Sequence, residues 1–246
     1  MGHLKPGLPG GPDRLADRWC SSAAADRYRD GMLTLLLTRH GHTDRSEPEQ
    51  YLGQQVDATL TERGRADAQA LAERLSAVQI DRVIASPLGR AMETARIVAA
   101  GRAVEPDARL AEMDYGSWEG ITTAEIESRY PLDYARYDED PATFHVGGAE
   151  NGEQVARRVE SLLESLLDWW ESEAGERACL LVGHSSVNRV LLAFSLGVPL
   201  RDYRRRFQVD WASLSVLRWT ERNAGPRLLL ANDLGHVRDL GGHTWD

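Results

Sequence analysis

From Met32 onward the chain alternates short, predominantly apolar runs with segments whose apolar residues recur every three to four positions. Runs of this kind fit strands buried on both faces, the condition inside a parallel sheet covered by helices. Residues 33–38 and 178–182 are the clearest such runs, and 82–85 is a shorter one. The intervening segments read as helices. One spans 61–75, capped by Thr61, with Ala68, Leu71, Ala72 and Leu75 on one face. A second runs over 88–100 and is opened by Pro87. A third runs over 122–130, where Thr122 and Glu125 form a capping box. A long one is capped by Asn151 and reaches about residue 173, with Val155, Val159, Leu162, Leu163, Leu166 and Trp170 as its stripe. A last one covers 186–196 and stops at Gly197. Residues 212–219 and 227–231 predict two strands joined by the turn Asn223-Ala224-Gly225-Pro226. The alternation predicts a three-layer α/β/α sandwich with a mostly parallel central sheet. In such sheets ligands collect at the carboxyl ends of the strands.

Four segments carry chemistry, three of them at such ends. Thr38-Arg39-His40-Gly41-His42-Thr43 follows the first strand. A histidine there can attack phosphorus if it is neutral and fixed in one tautomer. Arg39 can neutralise a phosphoryl oxygen, and Gly41 allows a sharp turn and close approach to a ligand. In Ser86-Pro87-Leu88-Gly89-Arg90, a strand ends and Arg90 falls in the first turn of a helix, whose N-terminus favours an anion. In Leu110-Ala111-Glu112-Met113-Asp114-Tyr115, Glu112 sits between apolar neighbours, a setting suited to a general acid. Val182-Gly183-His184-Ser185-Ser186 puts a second imidazole at another strand-to-helix junction, where it can hold a phosphoryl oxygen as charge builds.

With these four segments in order, the chain resembles the histidine phosphatase superfamily, the phosphoglycerate mutase-like fold, over about residues 33 to 233. The resemblance implies His40 as nucleophile, passing through a phosphohistidine. It implies Arg39, Arg90 and His184, with Ser185, as the phosphate pocket, and Glu112 as proton donor. Gly147-Gly148-Ala149-Glu150-Asn151 is similar to the family's Gly-Gly-Glu-Ser helix entry. Many relatives carry asparagine where Ser46 stands, and Ser46 can donate one hydrogen bond but cannot mimic an amide. Thr43, Ser46 and Tyr115 are expected near the substrate, and His42 is expected to meet the leaving group or solvent. Only 71 residues separate Glu112 from His184, which favours a compact phosphatase over a cofactor-dependent phosphoglycerate mutase. Specificity is expected from a roof between Trp118 and Glu150, including Tyr134, Tyr137, Phe144 and His145.

Composition narrows the partners. A net charge of −9 argues against a nucleic-acid surface. Of the 29 basic residues only Lys5 is lysine, so a phosphate clamp must use arginine, histidine and backbone N–H groups. No apolar run approaches the roughly 20 residues that span a bilayer, and the start lacks a signal-peptide core, so a cytoplasmic protein is expected. Its expected partner is a small phosphorylated substrate, with a homodimer allowed and no cofactor. Two cysteines, Cys20 and Cys179, make neither a disulfide framework nor a zinc site, and Cys179 reads as a buried hydrophobe. Residues 1–12 hold four glycines and three prolines, so 1–31 reads as an extension, flexible or with a short helix over 13–29. On that reading the phosphatase domain covers 32–246, and Met32 is a candidate native start.

Two rival chemistries use the same residues. Gly183-His184-Ser185-Ser186-Val187 nearly spells a serine-esterase elbow, with Ser185 as nucleophile and Asp210 or Asp233 with His236 as its relay. Val187 stands where that elbow needs glycine. Metal hydrolysis would need His40, His42 and His184 as ligands, but no carboxylate cluster joins them, and no metal is expected.

Overall fold

The computed structural model describes residues 31–173 and 175–237. The expectations for residues 1–30, including Cys20, lie outside that range. The strands are β1 (Leu33–Arg39), β2 (Arg82–Ala85), β3 (Val104–Pro106), β4 (Arg177–Gly183), β5 (Leu214–Trp219) and β6 (Arg227–Asp233). The helices are α1 (Glu62–Arg74), α2 (Gly89–Ala99), α3 (Thr123–Arg129), α4 (Pro131–Glu139), α5 (Gly152–Ser172), α6 (Ser185–Ser195) and the single turn α7 (Tyr203–Arg206). Among the described residues no helix is long and apolar enough to cross a membrane.

The sheet runs β3-β2-β4-β1-β5-β6. Strands β1 to β4 pair in parallel, while β5 is antiparallel to both β1 and β6. Successive side chains of a strand point to opposite faces, and β1 uses both. Leu33, Leu35 and Leu37 enter a core with α5 and α6, while Leu36 joins Leu180 and Val182 under α1 and α2. Each of these fully buried leucines contributes on the order of 1.5–3 kcal/mol through apolar area removed from water. This two-sided burial accounts for the unbroken apolar runs and gives the expected three layers.

The caps form as read. The Thr61 side chain accepts from the Gly64 N–H, and Thr122 and Asn151 each close a capping box. β5 begins two residues later than expected, because Ala212 adopts φ +54° and its N–H turns back to the carbonyls of Arg39 and His40. Three elements were not foreseen, among them the single turn α7. β3 has three residues, two of them exposed, and α4 starts at Pro131 with one fully buried residue, Tyr137.

The parallel register positions the site. Arg39 pairs with Gly183, so the residues that follow, His40 and His184, leave adjacent strands side by side.

Candidate active site

His40 is 4% exposed, and its Nδ1 lies 2.8 Å from the Gly41 carbonyl oxygen. A carbonyl only accepts, so Nδ1 carries the proton and Nε2 keeps its lone pair. Burial, reinforced by the charges of Arg39 and Arg90, holds the His40 pKa well below its usual value. The imidazole is therefore neutral at ordinary pH, as a nucleophile must be.

The His184 ring lies 5.2 Å from that of His40, tilted by 60°. Burial again comes first in lowering its pKa, followed by Arg90 and His40. Its Nε2 is 2.7 Å from Ser86 Oγ, which itself accepts from the Leu88 N–H. The Ser86 hydroxyl proton is thus free to go to Nε2, and a neutral His184 then carries its own proton on Nδ1.

Arg39 pairs with Glu49 at 2.7 Å, donates to the Val209 carbonyl at 3.1 Å and stacks 4.8 Å above Trp211. Arg90 is fully buried and pairs with Asp57 at 2.9 Å, while its Nη2 donates to the carbonyls of Leu52 and Gly53. Three buried nitrogens around His40 have no partner: Arg39 Nε, Arg90 Nε and His184 Nδ1. An unsatisfied buried donor costs about 1–3 kcal/mol. Each is a donor of the kind a bound oxyanion would satisfy.

Glu112 is 4% exposed and lines the cleft. Its Oε1 accepts from the N–H groups of Met113 (2.8 Å) and Val187 (3.1 Å), and its Oε2 from that of Ser186 (3.0 Å). The N-terminal amides of α6 at Ser186 and Val187 thus hold an internal carboxylate. The loop carrying Glu112 is braced from α5, where Arg158 donates to the Glu112 carbonyl and pairs with Glu150. Glu150 belongs to the glycine-rich entry singled out in the sequence, and it accepts the Asp114 N–H.

The cleft lined by Arg39, His40 and Glu112 measures about 700 Å³, and Ser185, Thr43, Ser46 and Tyr115 also line it, with Arg90 and His184 buried behind. Thr43 and Ser46 close a small turn, with their hydroxyls 3.1 Å apart and the Thr43 N–H on Ser46 Oγ. The Tyr115 hydroxyl meets Ser186 Oγ at 2.6 Å, and burial keeps the phenol pKa well above its usual value.

Two expectations are corrected, those for His42 and for the roof. His42 does not face the leaving group or solvent: it is buried edge-on to Trp211 between Thr61 Oγ1 and Glu47. Gly41 permits a close approach to the chain itself, since a Cβ there would lie 2.5 Å from the Gly64 carbonyl oxygen of α1. Of the expected roof Thr123 and Tyr137 line the cleft, while Tyr134 and Phe144 pack on Trp118 and His145 bonds Ala149 and Asn151. The roof comes instead from residues 204–211. Sequence reasoning also missed Ser86, Asp57 and Glu49, each polar and tens of residues or a loop away from its partner, with no local pattern to reveal it.

The esterase reading finds no relay. His236 bonds the Ala212 carbonyl and meets Arg74, Asp233 pairs with Arg74, and Asp210 is held by Gln208 and Asn232. Among the described residues no group of three or more histidine, cysteine or acidic side chains is arranged to hold a metal ion. Cys179 is buried, as expected.

The two buried histidines make stability depend on pH. Unfolded, both regain a pKa near 6.5. Below that, the unfolded chain binds protons the native state does not, so stability rises with pH and is lost as pH falls through about 6.5. The limiting slope is about 1.4 kcal/mol per pH unit for each histidine. His236, lowered mainly by burial, acts in the same sense. Denaturant midpoints between pH 7.5 and 5 should fall steeply in the parent and less steeply when His40 and His184 are both alanine. Equal slopes would mean that these imidazoles already titrate in the folded state.

Comparison with known proteins shows what the chain is similar to. The model of the histidine phosphatase superfamily (branch 1) matches residues 35–234. Phosphoserine phosphatase 1 of Hydrogenobacter thermophilus is 32% identical over 193 residues, covering 78% of this chain and 89% of that protein. Glucosyl-3-phosphoglycerate phosphatase of Mycobacterium tuberculosis is 33% identical over 175 residues, covering 69% of this chain and 78% of that protein. Among solved structures, Bacillus stearothermophilus YhfR superposes with a TM-score of 0.74 at 32% identity, covering 83% of this chain and 99% of that one.

Proposed function

The chain belongs to the histidine phosphatase superfamily and is a phosphomonoester hydrolase for small phosphorylated metabolites; from that premise we propose that it works through a phosphohistidine on His40. One observation carries the reading: a neutral His40, its Nε2 lone pair free, stands among three buried nitrogens that lack partners. In the first step Nε2 attacks phosphorus, the bond from phosphorus to the substrate oxygen breaks, and Glu112 gives that oxygen a proton. In the second step water attacks the phosphohistidine while Glu112 takes a proton from it, releasing phosphate and restoring His40. Arg39, Arg90 and the Nδ1–H of His184, with Ser185 beside them, meet the charge that builds on the phosphoryl oxygens. Thr43, Ser46 and Tyr115 shape the cleft around the leaving group. A cytoplasmic site of action suits metabolites of this kind.

Positive charge at the phosphate comes from arginine, so turnover of p-nitrophenyl phosphate should survive a chelator. Adding 2,3-bisphosphoglycerate should not switch on interconversion of 2- and 3-phosphoglycerate, because water completes the cycle. Activity lost to chelation and rescued by a divalent ion would overturn metal independence. Robust interconversion would make the protein a mutase.

A further inference from the structure

We propose that the cleft contains a second anion-binding subsite, built around Arg189, which selects phosphomonoesters carrying another acidic group. The inference rests on the phosphatase reading and names its substrate class. The cleft is lined, beyond Arg39, by Arg45, Arg189, Arg204, Arg205 and Arg206. The carboxylates lining it are already engaged: Glu49 with Arg39, Glu112 with three amides, and Asp210 with Gln208 and Asn232. Arg204 and Arg205 pair with Asp138. Arg189 and Arg206 have no ion pair or hydrogen bond among the described residues, and the Nε of Arg189 is buried and unsatisfied. A chain of net charge −9 thus keeps, among the described residues, two arginines without an ionic partner on the lining of this cleft.

The placement of Arg189 suits a substrate's far end. It lies four residues, about one turn, beyond Ser185 on the same helix face of α6, about 6 Å further along the axis. A helical side chain leans towards the N-terminus of its helix, so the guanidinium reaches back over the cleft that both residues line. A planar guanidinium takes a carboxylate or phosphate through two parallel N–H bonds, and binding one would satisfy the buried Nε.

The test compares matched substrates on one preparation. 3-Phosphoglycerate and glycerol 3-phosphate differ by a carboxylate in place of a hydroxymethyl group. Fructose 1,6-bisphosphate and fructose 6-phosphate differ by a second phosphate. In the parent protein kcat/KM should favour the acid-bearing member of at least one pair by about ten- to a hundredfold, the worth of a charge-assisted hydrogen bond. The pair that shows it tells whether the subsite prefers carboxylate or phosphate. Arg189→Ala should collapse that ratio, chiefly through KM, and Arg189→Lys should restore part of it. A ratio taken on one preparation is indifferent to the fraction folded, and the parent comparison needs no variant at all. Parity in both pairs, or a preference that survives Arg189→Ala, overturns the subsite while the phosphatase reading stands. That reading itself fails only if p-nitrophenyl phosphate is not hydrolysed either.

Discussion

Replacing His40 by alanine should abolish turnover and the phosphoenzyme together. Removing a covalent nucleophile typically costs on the order of 10⁴-fold or more, because no other group takes over bond formation to the reacting centre. The neighbours of His40 fit this role poorly. His184 is the nearest imidazole, but its Nε2 is tied to Ser86, and its Nδ1 carries the proton in the arrangement described. Brief exposure of the parent to labelled p-nitrophenyl phosphate should give an acid-labile, alkali-stable phosphoprotein. His184→Ala should still label, more slowly, whereas His40→Ala should not label at all. Label that persists in His40→Ala would transfer the nucleophile elsewhere. The variant should fold, because the imidazole bonds only its neighbour's carbonyl.

How much of this could be read from the sequence follows from where each constraint acts. The strand ends carrying His40, Ser86 and His184 were legible because two-faced burial leaves unbroken apolar runs in β1, β2 and β4. The caps were legible because Thr61, Thr122 and Asn151 act on amides three residues ahead. β3 and α4 were not, since a three-residue edge strand and a helix with one fully buried side chain leave almost no periodic trace. The roof was misplaced for another reason. Trp118, Tyr134 and Phe144 share an aromatic cluster, so their bulk signalled packing within the fold, not contact with substrate.

The polar supports were the least legible part. Asp57 reaches Arg90 across 33 residues, and the Ser86 hydroxyl reaches His184 across 98. No local rule links such pairs. For Ser86 and His184 it is the parallel register of β2 and β4 that brings together the strand ends carrying them. The same holds for Gly41, which reads as a ligand-facing hinge in sequence yet is required by the backbone of Gly64 in α1.

Glu112→Gln should slow phosphorylation by an alkyl phosphate about 10²–10⁴-fold, the usual worth of general acid catalysis, and by p-nitrophenyl phosphate far less. An alkoxide leaving group needs a proton to depart near neutral pH, whereas the nitrophenolate hardly does. The geometry says where that proton sits. A carboxylate offers about four lone-pair directions, and the amides of Met113, Val187 and Ser186 take three, leaving one on Oε2 for the cleft. Glutamine cannot reproduce this, because its amide has one accepting oxygen, so its NH₂ must face an N–H of Ser186 or of the other pair. That mismatch costs about 1–3 kcal/mol of stability, which makes a single rate uninformative. The ratio between the two substrates, measured as burst rates on one preparation, removes the cost from the comparison and separates phosphorylation from the later attack of water. Equal losses would exclude Glu112 as the acid and turn attention to Asp114 or Glu119. Of these Glu119 is the weaker candidate, since its carboxylate already holds the amides of Gln54, Gln55 and Val56. Asp114 accepts from Gly116 and Gln55 through a single oxygen, Oδ1, and so keeps its other oxygen for a proton.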